Sequence, residues 1–202
     1  MLAHAESVGL DAIAITDHDT PAGSLEAIEL ADEYDLIALG GIEVSSADGH
    51  VLAIGVTTEI PRGRSFAETV QLIQDAGGVA IVAHPYQRLR RGVLANIEPD
   101  ELAIADAIET YNARFLTGRT NRQAAALAKR LALPITAGSD AHSAEMVGQA
   151  VTRIEAKADA NAIIEAIRAG NTGIDGRRTP LGFTLRKAAE TARRRTRNRL
   201  NR

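Results

Sequence analysis

The chain has 202 residues and a mass of 21.4 kDa, enough for one domain with a full hydrophobic core and no stapling bond. Apolar residues make up 45% and charged residues 24%, which excludes disordered and collagen-like chains. With no cysteine, a disulfide framework, a zinc finger and a thiol nucleophile are excluded, so any metal must be held by histidine and carboxylate. The net charge of -3 is uneven, because Leu185 through Arg202 carries +7 and leaves -10 on the rest. An acidic body repels nucleic acid, whereas the basic tail would attract it or an acidic face of the same protein. No apolar run reaches the roughly 20 residues of a membrane helix, and the first nine residues lack a signal-peptide layout, so the chain reads as cytoplasmic with no membrane partner.

Short Val, Ile and Ala-rich runs alternate with segments of helical period, the pattern of an α/β fold. Residues 2–8 predict a helix closed by Gly9, residues 11–16 a strand, and residues 24–34 a helix capped by Ser24. A strand follows at 36–44, and the Asp48-Gly49 turn folds residues 50–56 back onto it. Residues 66–76 predict a helix stopped by Gly77-Gly78; 79–83 and 105–110 are strands; 121–131 is a helix with an Ala-rich packing face. Strands at 134–137 and 150–154 and a helix at 159–169 complete the core, and the glycines of 170–182 predict a linker to the tail.

Ionisable groups gather where these strands end. Asp17-His18-Asp19 follows A-I-A-I-T, Glu43 closes L-I-A-L-G-G-I, His84 closes V-A-I-V-A, Glu109 sits in D-A-I-E-T-Y-N, and Asp140 and His142 follow P-I-T-A-G-S. Carboxyl ends of parallel strands in a barrel open on one face, so these groups would converge there, and the Asp48-Gly49 turn keeps His50 beside Glu43. The candidate ligands are His18, Glu43, His50, His84, Asp140 and His142, a mixed imidazole and carboxylate set suited to Zn²⁺, Mn²⁺ or Fe²⁺. Helix capping competes for each aspartate; Asp19 reads as a cap and Asp140 as a ligand. His4 lies in a surface helix and is set aside. Glu109 is placed behind the ligands.

The motifs T-D-H-D (16–19), G-I-E-V-S (41–45), G-H (49–50), A-H-P (83–85) and G-S-D-A-H (138–142) together resemble the polymerase and histidinol phosphatase (PHP) family, with E-T-Y-N-A-R (109–114) similar to its short free-standing members. The resemblance implies a metal-dependent phosphoesterase on a distorted (β/α)7 barrel over residues 1–170, followed by a linker at 171–184 and the tail at 185–202. It implies that Glu43 bridges two ions, that His50 and His84 complete one of them, that Asp140 holds the neighbour, and that His18 and His142 hold a third. Glu43 and Asp17 are the implied catalytic carboxylates. Arg88, Arg114 and Asn112 are the candidate substrate contacts, the two arginines because guanidinium matches phosphate in a two-pronged geometry, although either could be a solvated surface charge. The family's opening strand, with its D-L-H-x-H motif, precedes the helix in which this sequence starts. The fold expected is therefore a barrel missing its first strand, with an upstream segment to supply it. Expected substrates are a phosphorylated small metabolite, a nucleotide or an oligonucleotide end. The competing readings are a metal-binding remnant with reduced catalysis and a nucleic-acid-binding module acting through the tail.

Overall fold

Two stretches of chain lying side by side set the site in place: residues 12–19 run parallel to residues 37–45. The structure, a computed structural model, describes residues 1–87, 91–115 and 117–177. After helix α1 (Leu2–Ser7), strand β1 (Ala12–Ala14) pairs in parallel with β2 (Ile37–Leu39), Ala12 opposite Ile37. The alignment continues past both strands. Glu43 N donates to Asp17 O and Asp19 N to Glu43 O, each at 3.0 Å, and His18 bridges Glu43. The single strand expected at 36–44 is divided, because the backbone bends at Gly40-Gly41 and β3 (Gly41–Ser45) enters a different sheet. A Cβ on Gly41 would meet Ile15 O at 2.7 Å, so only glycine admits this close passage.

Helix α2 (Ala22–Leu30) lies between β1 and β2 and ends in a 3-10 turn, Ala31–Glu33. The expected cap is corrected here. Ser24 is inside the helix and its hydroxyl donates to Pro21 O at 2.8 Å, while Pro21 stands at the N-cap without a side-chain bond. Proline needs no N–H partner and its fixed φ suits a helix start.

The main sheet has the order β3-β4-β5-β6-β7. Strand β4 (His50–Ile54) folds back antiparallel on β3 with His50 opposite Ser45, and β5 (Val79–Val82) is antiparallel to β4. Strands β6 (Ala107–Asn112) and β7 (Ile135–Gly138) follow in parallel, with a bulge between Glu109 and Tyr111. Strand β5 is buried on both faces, as a continuous apolar run requires. Ala80 and Val82 join the cluster of Phe66, Val70 and Ile73 from helix α3 (Phe66–Asp75), whereas Val79 and Ile81 join Ile163, Ile164 and Ile167 from helix α5 (Ala160–Arg168). Helix α4 (Arg119–Leu131) adds Ala124, Leu127 and Ala128 to the first cluster.

Beyond β7 stands the antiparallel pair of β8 (Ala150–Ile154) and β9 (Thr172–Gly176), joined through α5. Thr152 Oγ1 both accepts from Ala137 N and donates to Ala137 O at 3.0 Å, and Thr172 Oγ1 donates to Ile135 O at 2.8 Å. Residues 172–176 were expected in a linker. They form a half-buried strand instead, because the glycines there still leave an alternating Thr172, Ile174 frame that pairs with β8. The tail at 185–202 lies outside the described residues. Among the described residues no helix is long and apolar enough to cross a membrane.

Helix α3 begins with a reciprocal capping box between Ser65 and Glu68, and Asp48 Oδ2 accepts from Phe66 N at 2.7 Å. Ser65→Ala should therefore lower stability by about 1 kcal/mol. Urea unfolding checks this through a lower midpoint at unchanged slope.

Candidate metal centre

Four side chains meet at the mouth of the sheet. Glu43 is on β3, two residues before the Ser45 that faces His50, so strand alternation puts the Glu43 and His50 side chains on one face. His84 follows β5 and His18 follows β1. His50 Nδ1 lies 2.7 Å from Glu43 Oε1, His84 Nε2 lies 3.2 Å from the same oxygen, and His18 Nε2 lies 3.8 Å from Oε2. The ring centroids of His18 and His50 are 4.9 Å apart, those of His50 and His84 5.6 Å. Phe115, buried and absent from the sequence expectations, closes the apolar side with its ring edge-on 6.5 Å from His84.

Backbone strain aims several of these groups. His84 and Asp140 have φ of +31° and +46°, and Asp19 has +57°. Such a conformation costs on the order of 1–3 kcal/mol in a residue other than glycine and tends to persist where function requires it. Asp19 was expected to cap α2. Its carboxylate instead accepts from Ser45 N at 2.7 Å and anchors β3, since the parallel pairing brings that N–H within reach before the helix begins. Asp17, an expected catalytic carboxylate, is exposed, with its side chain packed against Gly23 of α2 and only its carbonyl serving Glu43 N.

Electrostatics follow from this packing. Burial alone would raise the Glu43 carboxyl, but the close approach of the His50 ring, the hydrogen bond with His84 and the charge of both rings hold it well below the usual carboxylate range. Burial opposes charge on His84, yet the Glu43 hydrogen bond, aided by the charges of Glu109, Glu43 and Asp140, raises it. Glu109, inside β6, is pushed up to about 7, chiefly by burial and further by Asp140. It accepts from His84 N at 2.9 Å and from Asn112 Nδ2 at 3.3 Å.

Asn112, expected to touch substrate, is buried and fully used within the protein. Its Nδ2 donates to Glu109 and to Asp140 Oδ2 (3.2 Å), its Oδ1 accepts from Arg114 N (3.0 Å), and its backbone exchanges two bonds with Asn121. Arg114 Nη1 lies 2.9 Å from Asp140 Oδ1 and from the His142 ring nitrogens. Arg88 lies outside the described residues.

Whether these groups suit an ion is decided by their donor chemistry. His18, Glu43 and His50 each offer a ligand atom, and these atoms lie within 4.8 Å of one another. His50 Nδ1 is buried and close to Glu43 Oε1 yet not aligned for a hydrogen bond, so two electron-rich atoms face a common point. Two imidazoles and a carboxylate at this spacing fit a divalent ion.

A family profile described as PHP-associated matches residues 118–172. A solved two-domain protein from Bacteroides vulgatus, containing a predicted PHP-like metal-dependent phosphoesterase, superposes with a TM-score of 0.70 at 18% identity, over 84% of this chain and 57% of that one. The chain belongs to the PHP family. An uncharacterized Methanocaldococcus jannaschii protein is 32% identical to this PHP chain over 117 residues, 58% of this chain and 67% of that protein. A phosphoribosyl 1,2-cyclic phosphate 1,2-diphosphodiesterase from Eggerthella lenta is 37% identical over 67 residues, 30% of this PHP chain and 26% of that enzyme. The chain thus spans about two thirds of the archaeal relative and just over half of the solved structure.

Proposed function

We propose that the protein hydrolyses a phosphate ester with a divalent ion, Zn²⁺, Mn²⁺ or Fe²⁺, held at Glu43. The observation that supports this most is the convergence of His18, Glu43 and His50 from three separated segments onto one point. His84, 3.2 Å from Glu43 Oε1, is placed to join them. When bound, the ion supplies a Lewis acid that polarises a phosphoryl oxygen and makes water nucleophilic near neutral pH. Glu43 stays ionised over the whole physiological range and so remains available as a ligand. Glu109 and Asp19 fix the backbone on either side of it, through His84 N and Ser45 N. No covalent intermediate is needed.

The substrate class proposed is a phosphorylated small molecule or nucleotide. The E. lenta relative, named for a cyclic phosphodiester of ribose, favours a phosphodiester over a monoester. The family's seven-stranded barrel is the architecture this reading implies, supported by the parallel run of 12–19 with 37–45 and by the threonine bonds at the β7 edge. Stripping the full chain with a chelator should abolish hydrolysis of bis-p-nitrophenyl phosphate, and adding Mn²⁺, Zn²⁺ or Fe²⁺ should restore it. Hydrolysis that persists after chelation would refute the proposal.

A further inference from the structure

Two of the strained residues at the mouth, His84 and Asp140, stand on either side of the end of β6, and one pair of side chains on that strand reaches both of them. Resting on the phosphoesterase reading above, we infer that Glu109 and Asn112 are positioning residues, a clamp created by the β6 bulge that sets the spacing between His84 of the Glu43 cluster and Asp140.

The bulge makes the clamp possible. Residues three apart on a regular strand point to opposite faces of the sheet. In β6 the register passes from Glu109 opposite Thr136 to Tyr111 opposite Ala137, so Thr110 is the extra residue of the bulge. Asn112 then stands opposite Gly138, two residues beyond Thr136, and so shares a face with Glu109. The side chains meet there, with Asn112 Nδ2 3.3 Å from both Glu109 carboxylate oxygens. Gly138 leaves room for the carboxylate, since a Cβ on it would stand 2.7 Å from Glu109 Oε1.

From this seat the pair holds one residue on each side. Strands β5 and β6 are paired at Val82 and Ile108; beyond that point Glu109 Oε2 accepts from His84 N at 2.9 Å, a side chain taking the place of a strand carbonyl. Toward β7, Asn112 Nδ2 donates to Asp140 Oδ2 at 3.2 Å. The two residues so held have φ of +31° and +46°, conformations that persist only when the surroundings enforce them. Neither bond takes the group that faces an ion. The His84 ring is left to Glu43, and a carboxylate has about four acceptor positions, of which Asn112 uses one.

Asn112 is itself fixed. Its backbone exchanges two bonds with Asn121 of α4, its Oδ1 accepts from Arg114 N, and its side chain is buried. An amide suits this place because it donates to two carboxylates at once while adding no charge. The clamp therefore acts behind the ligands, by orienting the groups that touch the ion.

The test is Mn²⁺ binding by the full chain, with hydrolysis of bis-p-nitrophenyl phosphate at saturating Mn²⁺ as a second readout. Asn112→Leu, of similar size and without hydrogen-bonding groups, should bind Mn²⁺ about 10–100-fold more weakly and lower kcat in the same range, while KM stays within about twofold. Gly138→Ala, which displaces the Glu109 carboxylate and leaves Asn112 intact, should do the same, and it carries the test if Asn112→Leu fails to fold. A residue that only braced the core would lower the melting temperature and leave the Mn²⁺ affinity and kcat of the folded protein at their wild-type values; that result in either variant would overturn the inference. A raised KM at unchanged kcat in Asn112→Leu would make Asn112 a substrate contact and overturn it too. A wild type that binds Mn²⁺ without hydrolysing the ester would sink the phosphoesterase reading, and the two affinities alone would then decide the clamp. A wild type that binds no Mn²⁺ would remove both.

Discussion

Glu43→Gln should leave the protein folded and eliminate its turnover. The backbone bonds that fix this position, Glu43 N to Asp17 O and Asp19 N to Glu43 O, do not involve the side chain, so the parallel alignment survives. What disappears is the negative charge within 4 Å of three imidazoles. Loss of a mere outer partner of a metal ligand costs about 10–100-fold in affinity or activity. Loss of the ligand common to His18, His50 and His84 should exceed that range, so hydrolysis of a phosphoester should fall by more than about a hundredfold and the bound ion with it. In the metal-free protein the His84 pKa, raised largely by its hydrogen bond to Glu43, should move down, which NMR titration of the ring would record. Undiminished turnover in Glu43→Gln, free of contaminating phosphatase, would sink the assignment.

Much of this centre was legible in the sequence because strand ends carry their own signature. An apolar run followed at once by acid or histidine places Glu43 and His84 at one end of a sheet, and the Asp48-Gly49 turn fixes His50 beside Glu43 through the register that follows. What stayed hidden depends on pairings between distant segments. Nothing local distinguishes Asp19 as a helix cap from Asp19 as the acceptor of Ser45 N, 26 residues away. Asn112 looks like a polar residue at a strand end and is in fact buried at 1% exposure among Glu109, Asp140 and Asn121. The glycines of 170–176 suggested a linker because composition reports chain flexibility, whereas a strand forms when its neighbour offers hydrogen bonds. Likewise the sequence offered Arg114 as a phosphate contact near the mouth or a solvated surface charge, and only the geometry ties it to Asp140 and His142.

Glu109 gives the metal-free protein an unusual dependence on pH. Its carboxyl titrates near 7 in the folded chain against an ordinary value of 4.5. Between those values the unfolded chain has already released a proton that the native chain retains, so the unfolded state binds fewer protons and stability falls as pH rises. The contribution is fully present below 4.5 and is lost by about 7, a change of roughly 3 kcal/mol, large against the 5–15 kcal/mol of a typical domain. His84, also raised, acts with the same sign, so the wild-type slope alone does not isolate Glu109. Glu109→Gln does, since glutamine mimics the protonated acid, its oxygen can still accept from His84 N, and it cannot ionise. Chemical unfolding of the chelated proteins across pH 4.5–7.5 should show the wild type losing this stability while Glu109→Gln stays nearly flat; parallel curves would mean that Glu109 is ionised throughout. A bound ion should shrink the effect by stabilising the native state at higher pH, where its histidine ligands are neutral and its carboxylates charged.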